Sequence, residues 1–400
     1  MDTGLPAGTV GETRAIPQIP ELDGLRGLAI VLVLFFHLTG DSPKDFGYLS
    51  AVYWAFAYGW AGVDLFFVLS GFLITGILLA TKDSPEYFST FYARRVLRIF
   101  PLYFLAVALF FYVELPLRAG HLPIFYVMRA EQIWYWTYLV NWRDASGHMI
   151  GALGHFWSLS IEEQFYLAWP LAIWLAPRRR IPMLCIGVIV ISFTLRLVFD
   201  LTGASVEFIH RATFTRLDTL VLGGLLAVAA KDPGWTKALR KRITFIASAA
   251  LVLYTISEWV ARQHGRFPGW LTLNYTFPAV IFGCLVFHCA AGSGGGTLAC
   301  RIARSPTLRS LGKYSYSMYL FHLIAKRYGM VPVVVQLWHW GLPLPVAFVL
   351  GMLLCGAAVY AFALLTWHGF EKHFLKLKSR FSYTHIQGSH PTTPSPAELA

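Results

Sequence analysis

Ten apolar stretches, most of them near bilayer length, decide what this chain can become. They lie at about 25–40, 51–80, 97–115, 150–176, 181–200, 212–230, 243–260, 271–290, 315–338 and 345–366. A helix needs about 20 residues to cross the hydrocarbon layer. Inside that layer every backbone N–H and C=O must be paired within the segment itself. The pattern therefore predicts an all-α, polytopic integral membrane protein, a bundle of about ten transmembrane helices. Composition agrees: 14% of the 400 residues are charged, against about 25% in a soluble domain. Residues 1–20 read as a disordered cytoplasmic N-terminus, 21–375 as one transmembrane domain and 376–400 as a disordered cytoplasmic tail. No cleavable signal peptide and no appended soluble domain are expected. The stretch 121–142, HLPIFYVMRAEQIWYWTYLVNW, suits an interfacial segment by its Trp and Tyr content, with a further span as the alternative.

The net charge of +12 reflects basic residues gathered between spans, as in Arg94–Arg98, Arg178–Arg180, Lys231–Arg242, Arg301–Lys313 and Lys372–Arg380. These clusters fall on one side of a ten-span topology, which predicts cytoplasmic termini and a plasma (inner) membrane location. No basic stripe interleaves with aromatics on a soluble face, so nucleic-acid binding is not expected. The five cysteines form no CxxC and read as small buried hydrophobes. No His, Asp or Glu set has metal-ligand spacing, so no metal is expected. GSGGGT at 292–297 lacks the ending of a phosphate loop and reads as a connector.

Charges inside spans are costly and are functional candidates by default. In ELDGLRGLAIVLVLFFHLTG (21–40), Arg26 and His37 are eleven residues apart. On an α-helix that is about 16 Å of rise and three turns plus about 20° of rotation, so both lie on one face. A guanidinium anchors anionic groups, and an imidazole can accept a hydroxyl proton near neutral pH. A substrate spanning the two would be long, with an anionic head and a reactive end. The bland alternative is a His bonded to a neighbouring helix and an Arg reaching to headgroups. Asp64, in GWAGVDLFFVLSGFLIT, can orient His37, pair with Arg26, or form a structural salt bridge; Ser70 and Gly71 suit close helix packing. Arg95 and Arg98, in FYARRVLRIFPLYFL, share a face and suit phosphate capture or membrane anchoring. In HFWSLSIEEQFYLAWP, Glu162 and Glu163 point about 100° apart, so only one, Glu162 by preference, is expected to face a pocket. His155 reads as an interfacial histidine, and Arg216, Asp218 and His322 as helix-to-helix hydrogen-bonding groups.

Together ELDGLRGLAI with His37, GVDLFFVLSGFLIT, RRVLRIFPLY, FWSLSIEEQFYLAWP, RLDTLVLGG and YSYSMYLFHL resemble the integral-membrane O-acyltransferases of acyltransferase family 3, in order and over about residues 20–375. The resemblance implies transfer of an acyl group, usually acetyl from acetyl-CoA, to a hydroxyl, most often of a carbohydrate or glycolipid acceptor. Arg26 and His37 match the family's Arg-x10-His signature, Arg95 and Arg98 its basic motif, and Asp64, Ser70 and Glu162 its polar positions. The mechanism this suggests has Arg26, Arg95 and Arg98 holding the phosphates of acyl-CoA, with Ser70 beside the thioester. His37, oriented by Asp64 or Glu162, is the base; an acyl-enzyme relay is the other route. The family often has Glu followed closely by Pro near its end; here the sequence reads FEKHF, which weakens any role for Glu371. The competing class is a transporter of glycans or acyl donor without chemistry, which would usually show inverted repeats or paired broken helices.

Overall fold

The computed structural model describes residues 19–39, 57–119, 122–148, 151–291 and 296–383. The expectations for the N-terminus, for the start of the second span at 51–56, for most of the GSGGGT connector and for the tail beyond 383 lie outside the described residues.

Among the described residues, ten helices have 15 residues or more, one for each apolar stretch. They are α1 (Pro20–Thr39), α2 (Gly62–Thr81), α3 (Tyr87–Leu109), α4 (Phe156–Leu175), α5 (Ile181–Leu201), α6 (Leu217–Lys231), α7 (Pro233–His264), α8 (Trp270–Ala290), α9 (Pro306–Ala325) and α10 (Leu344–Thr366). The protein is thus an all-α, polytopic membrane protein. Seven of the ten are long and apolar enough to cross a membrane by themselves. The other three are α4, α6 and α9. α6 has only 15 residues, and α4 and α9 carry polar side chains into the bundle.

Local chemistry sets the helix starts. Asp232 caps α7 by accepting from the Trp235 N–H at 2.9 Å, and Ser305 caps α9 by accepting from Leu308 N–H at 3.3 Å. In both, proline follows the cap at the first helical position, where no N–H is needed. Three helices continue past a single π-helical turn: α3 through Phe110–Glu114, α9 through Lys326–Met330 and α10 through Trp367–Glu371. The 121–142 region forms no span. It folds into the short helices Pro123–Ala130 and Gln132–Trp136, followed by Val140–Ala145.

Several helix pairs meet backbone to backbone at glycines. A Cβ at Gly312 of α9 would overlap the Asp23 carbonyl of α1, and one at Gly71 of α2 would overlap the Leu220 carbonyl of α6. Small residues permit this approach, which favours dispersion contacts where lipid supplies no hydrophobic drive. Tyrosines tie α3 to α4: Tyr87 donates to the Pro170 carbonyl at 3.0 Å and Tyr92 to the Leu167 carbonyl at 2.8 Å. The core is aromatic-rich, with Tyr103, Tyr138 and Phe156 packed together; the Tyr103 and Tyr138 rings stack at 4.1 Å. α7 lies at the edge, with most of its surface outside the protein interior.

Candidate active site

α1, α2, α3, α4 and α9 line a partly open cavity. Arg26, Ser70, Arg95, Arg98 and Glu162 all line it. Five of the seven residues singled out in the sequence therefore meet in one place, brought from four helices. Ser70 donates to Glu162 Oε1 at 2.6 Å and accepts from the Tyr166 hydroxyl at 3.0 Å. Gly71 serves packing as expected, but Ser70 faces the cavity. Arg26 is loosely paired with Asp23, at 3.9 Å and one turn away on the same helix. Among the described residues Arg95 and Arg98 form no ion pair; the Arg95 guanidinium lies over the Tyr166 ring at 5.7 Å and the Phe91 ring at 5.8 Å.

Glu163 also lines the cavity, which corrects the expectation that only one of the adjacent carboxylates would face it. The 100° between neighbours does hold; the cavity lies over the ridge between them, and both long side chains reach round to it. Gln164 anchors this turn from the far side, donating to the Tyr138 carbonyl and Asn141 Oδ1, each at 2.8 Å. Glu371 comes within electrostatic reach of Arg98. It lies in the π-helical turn after α10, buried beside Thr366, although its sequence context had argued against a role. Tyr166, Ser315, Tyr316 and Tyr319 are lining residues that sequence reasoning missed. The spacing of Ser315, Tyr319 and His322 along one face of YSYSMYLFHL was the available signal.

Two expectations fail on placement. Asp64 neither orients His37 nor pairs with Arg26. It is fully buried against Arg216, which precedes α6. Next to it Arg196 grips Asp218 bidentately at 2.9 and 2.6 Å and also donates to Thr276 Oγ1 at 2.8 Å. The Arg216 guanidinium sits 4.3 Å from the Tyr275 ring centroid. These two pairs fasten α2, α5, α6 and α8 together, the structural alternative that spacing had left open.

His37 is the second. Arg26 lines the cavity and His37 does not. The His37 Nδ1–H donates to the Val33 carbonyl at 2.9 Å, which fixes the tautomer and leaves Nε2 with its lone pair. The ring is partly exposed and packs on His322, centroids 4.8 Å apart. His322 packs in turn on His155 at 4.6 Å. His155 is inside the bundle, 3% exposed, and not interfacial. Tyr319 connects this row to the cavity: it lines the cavity, meets the His155 and His322 rings at 5.2 and 5.6 Å, and shares a 2.6 Å hydrogen bond with Ser158. Neither Asp64 nor Glu162 reaches His37; a backbone carbonyl and a second imidazole take that place.

The chain is thus a multi-pass helical bundle with a polar cavity lined by arginines and carboxylates and a fixed-tautomer histidine beyond it. Residues 19–368 match the family described as an acyltransferase domain, acyltransferase 3, and the chain belongs to that family. O-acetyltransferase OatA of Staphylococcus aureus is 32% identical over 327 residues, covering 76% of this chain and 50% of the relative. A putative O-acetyltransferase of the same species is 28% identical over 346 residues, covering 79% of this chain and 53% of the relative. The chain spans about half the length of these curated relatives. No solved structure matches it.

Proposed function

We propose that this protein is an acyl-CoA-dependent O-acyltransferase that moves an acyl group, acetyl first among them, onto a hydroxyl of a carbohydrate or glycolipid. The observation that carries this reading is the pair of guanidiniums, Arg95 and Arg98, that face a membrane-embedded cavity without a carboxylate partner among the described residues. Unpaired charge in such a place is costly unless an anion completes it. Arg26, Arg95 and Arg98 hold the phosphates of the donor, with the bidentate geometry guanidiniums offer to planar oxyanions. Ser70 and Glu162 hydrogen-bond the amide-bearing arm, and Tyr319 marks its path toward the histidines. His37 Nε2 takes the acceptor proton as the hydroxyl oxygen attacks the thioester carbonyl. Asp64, committed to Arg216, supports the bundle that holds these groups.

This reading takes the side carrying the Lys and Arg clusters as cytoplasmic, with the donor entering from that side and both termini on it. The O-acetyltransferase relatives support the acetyl and hydroxyl parts of this reading. The test is CoA release by purified protein supplied with acetyl-CoA and a polysaccharide acceptor. His37→Ala should lower turnover by about 10²–10⁴-fold, the usual contribution of a positioned acid–base group. Unchanged turnover removes His37 from the chemistry. Flux of intact substrate across vesicles without CoA release would instead identify a transporter.

A further inference from the structure

Among the described residues, the base in the proposed reaction lacks what a histidine base usually has, a carboxylate behind it. The structure offers a different neighbour. His322 is fully buried, and its Nδ1–H donates to the Tyr319 carbonyl at 2.7 Å. Its Nε2 is buried with no hydrogen-bond partner among the described residues. His155 repeats the arrangement in mirror form: Nε2–H donates to the Leu320 carbonyl at 3.2 Å, and Nδ1 is buried and unpartnered. A backbone carbonyl thus fixes the tautomer of all three imidazoles, and each keeps one basic nitrogen. Two of those nitrogens are sealed from solvent, where an unmet acceptor costs about 1–3 kcal/mol. A bundle that needed only apolar filling here would carry Leu or Phe. The three rings are no metal site: among the described residues no three His, Cys, Asp or Glu side chains are placed to hold an ion.

We propose that His322 is the proton partner of His37, with its free Nε2 accepting a hydrogen bond from the imidazolium formed during acyl transfer. The inference rests on the acyl-transfer reading above. The two rings are in contact, centroids 4.8 Å apart and tilted by 59°; they share no hydrogen bond while both are neutral, and one forms when His37 takes up its second proton. In the step, the acceptor O–H bond breaks as its oxygen bonds to the thioester carbonyl carbon, and the proton goes to His37 Nε2. The imidazolium then has a neutral acceptor beside it where, among the described residues, no carboxylate is near. As the C–S bond breaks, the proton leaves the pair for the departing sulfur, and both rings return to neutrality. His155, with its own free nitrogen next in the row, steadies His322 from behind. His322 touches neither donor nor acceptor; it is a positioning residue that acts through His37.

The experiment is His322→Asn in the full-length protein, assayed for CoA release at varied acetyl-CoA concentration beside the wild type and His37→Ala. Asn retains an N–H near the Tyr319 carbonyl and removes the distal acceptor. The expected result is a fall in kcat of about 10- to 100-fold with an unchanged KM and unchanged direct binding of acetyl-CoA. Imidazole added to His322→Gly should restore part of the rate. A His322→Asn enzyme with wild-type kcat overturns the inference, as does equal loss of kcat and donor binding without rescue by imidazole, which marks a purely structural residue. If wild type itself releases no CoA, the acyl-transfer reading fails first. If wild type is active, His37→Ala is inactive and His322→Asn is unimpaired, only the partnership fails.

Discussion

The bundle holds two groups of arginines in opposite circumstances. Arg196 and Arg216 are fully buried and each grips an aspartate. Arg95 and Arg98 are only partly buried, line the cavity and grip none. The same side chain thus fastens helices in one place and leaves a charge available in the other. The lesson is that an intramembrane arginine is assigned by its partner and not by its depth. For the cavity pair, the proposed function makes the ligand the partner.

The largest effect should come from breaking the fastened set. Asp64→Ala strands Arg216 in the interior and should cost about 3–5 kcal/mol of stability, read as a lower thermal midpoint in detergent. Replacing both partners together, Asp64→Leu with Arg216→Met, should recover most of that loss, since apolar substitutes for a buried pair are often neutral. An equal loss in single and double variants would erase the contrast. Next in size, Arg95→Ala with Arg98→Ala should leave the thermal midpoint in place while weakening acetyl-CoA binding by tenfold or more, at about 1.5–3 kcal/mol per charged hydrogen bond. Unchanged affinity in direct titration would return both arginines to membrane anchoring. The smallest effect belongs to a third kind of arginine, Arg143, which holds Glu131 bidentately at 2.6 Å at the bundle's rim. The Arg143 hydrogen bonds keep the Glu131 carboxyl below its usual range. Because the folded-state pKa is the lower one, the pair's contribution is complete above the unfolded value of about 4.3 and is lost as pH falls through the folded value. Glu131→Gln should therefore cost about 1 kcal/mol or less at pH 7, and progressively less as pH falls through the folded value. A cost that persists in acid would show that packing, and not charge, holds this corner.

The sequence made the helices legible because lipid leaves the backbone no other choice, and each apolar stretch became one helix. It also assembled most of the cavity: Arg26, Ser70, Arg95, Arg98 and Glu162 were picked out before their helices were placed. It could not pair Asp64 with Arg216, because the two are 152 positions apart and no local spacing rule reaches that far. It misplaced His37 for a related reason. The rotation that aligns it with Arg26 is a property of α1 alone, whereas the cavity wall is built by Tyr319 and Phe66 from other helices. Glu371 was set aside because FEKHF lacks the proline that often follows that Glu, yet it lies in a π-helical turn within electrostatic reach of Arg98.

The backbone contact of α1 with α9 has one more implication. α1 bears Arg26 and His37 at its two ends, and α9 bears Tyr319 and His322. With Gly312 against the Asp23 carbonyl, no side chain separates the two rods at that point. The pair works as a calliper with its jaws locked. A molecule that must touch both jaws is gauged by a gap it cannot widen, and any opening to admit it falls to α2, α3 and α4.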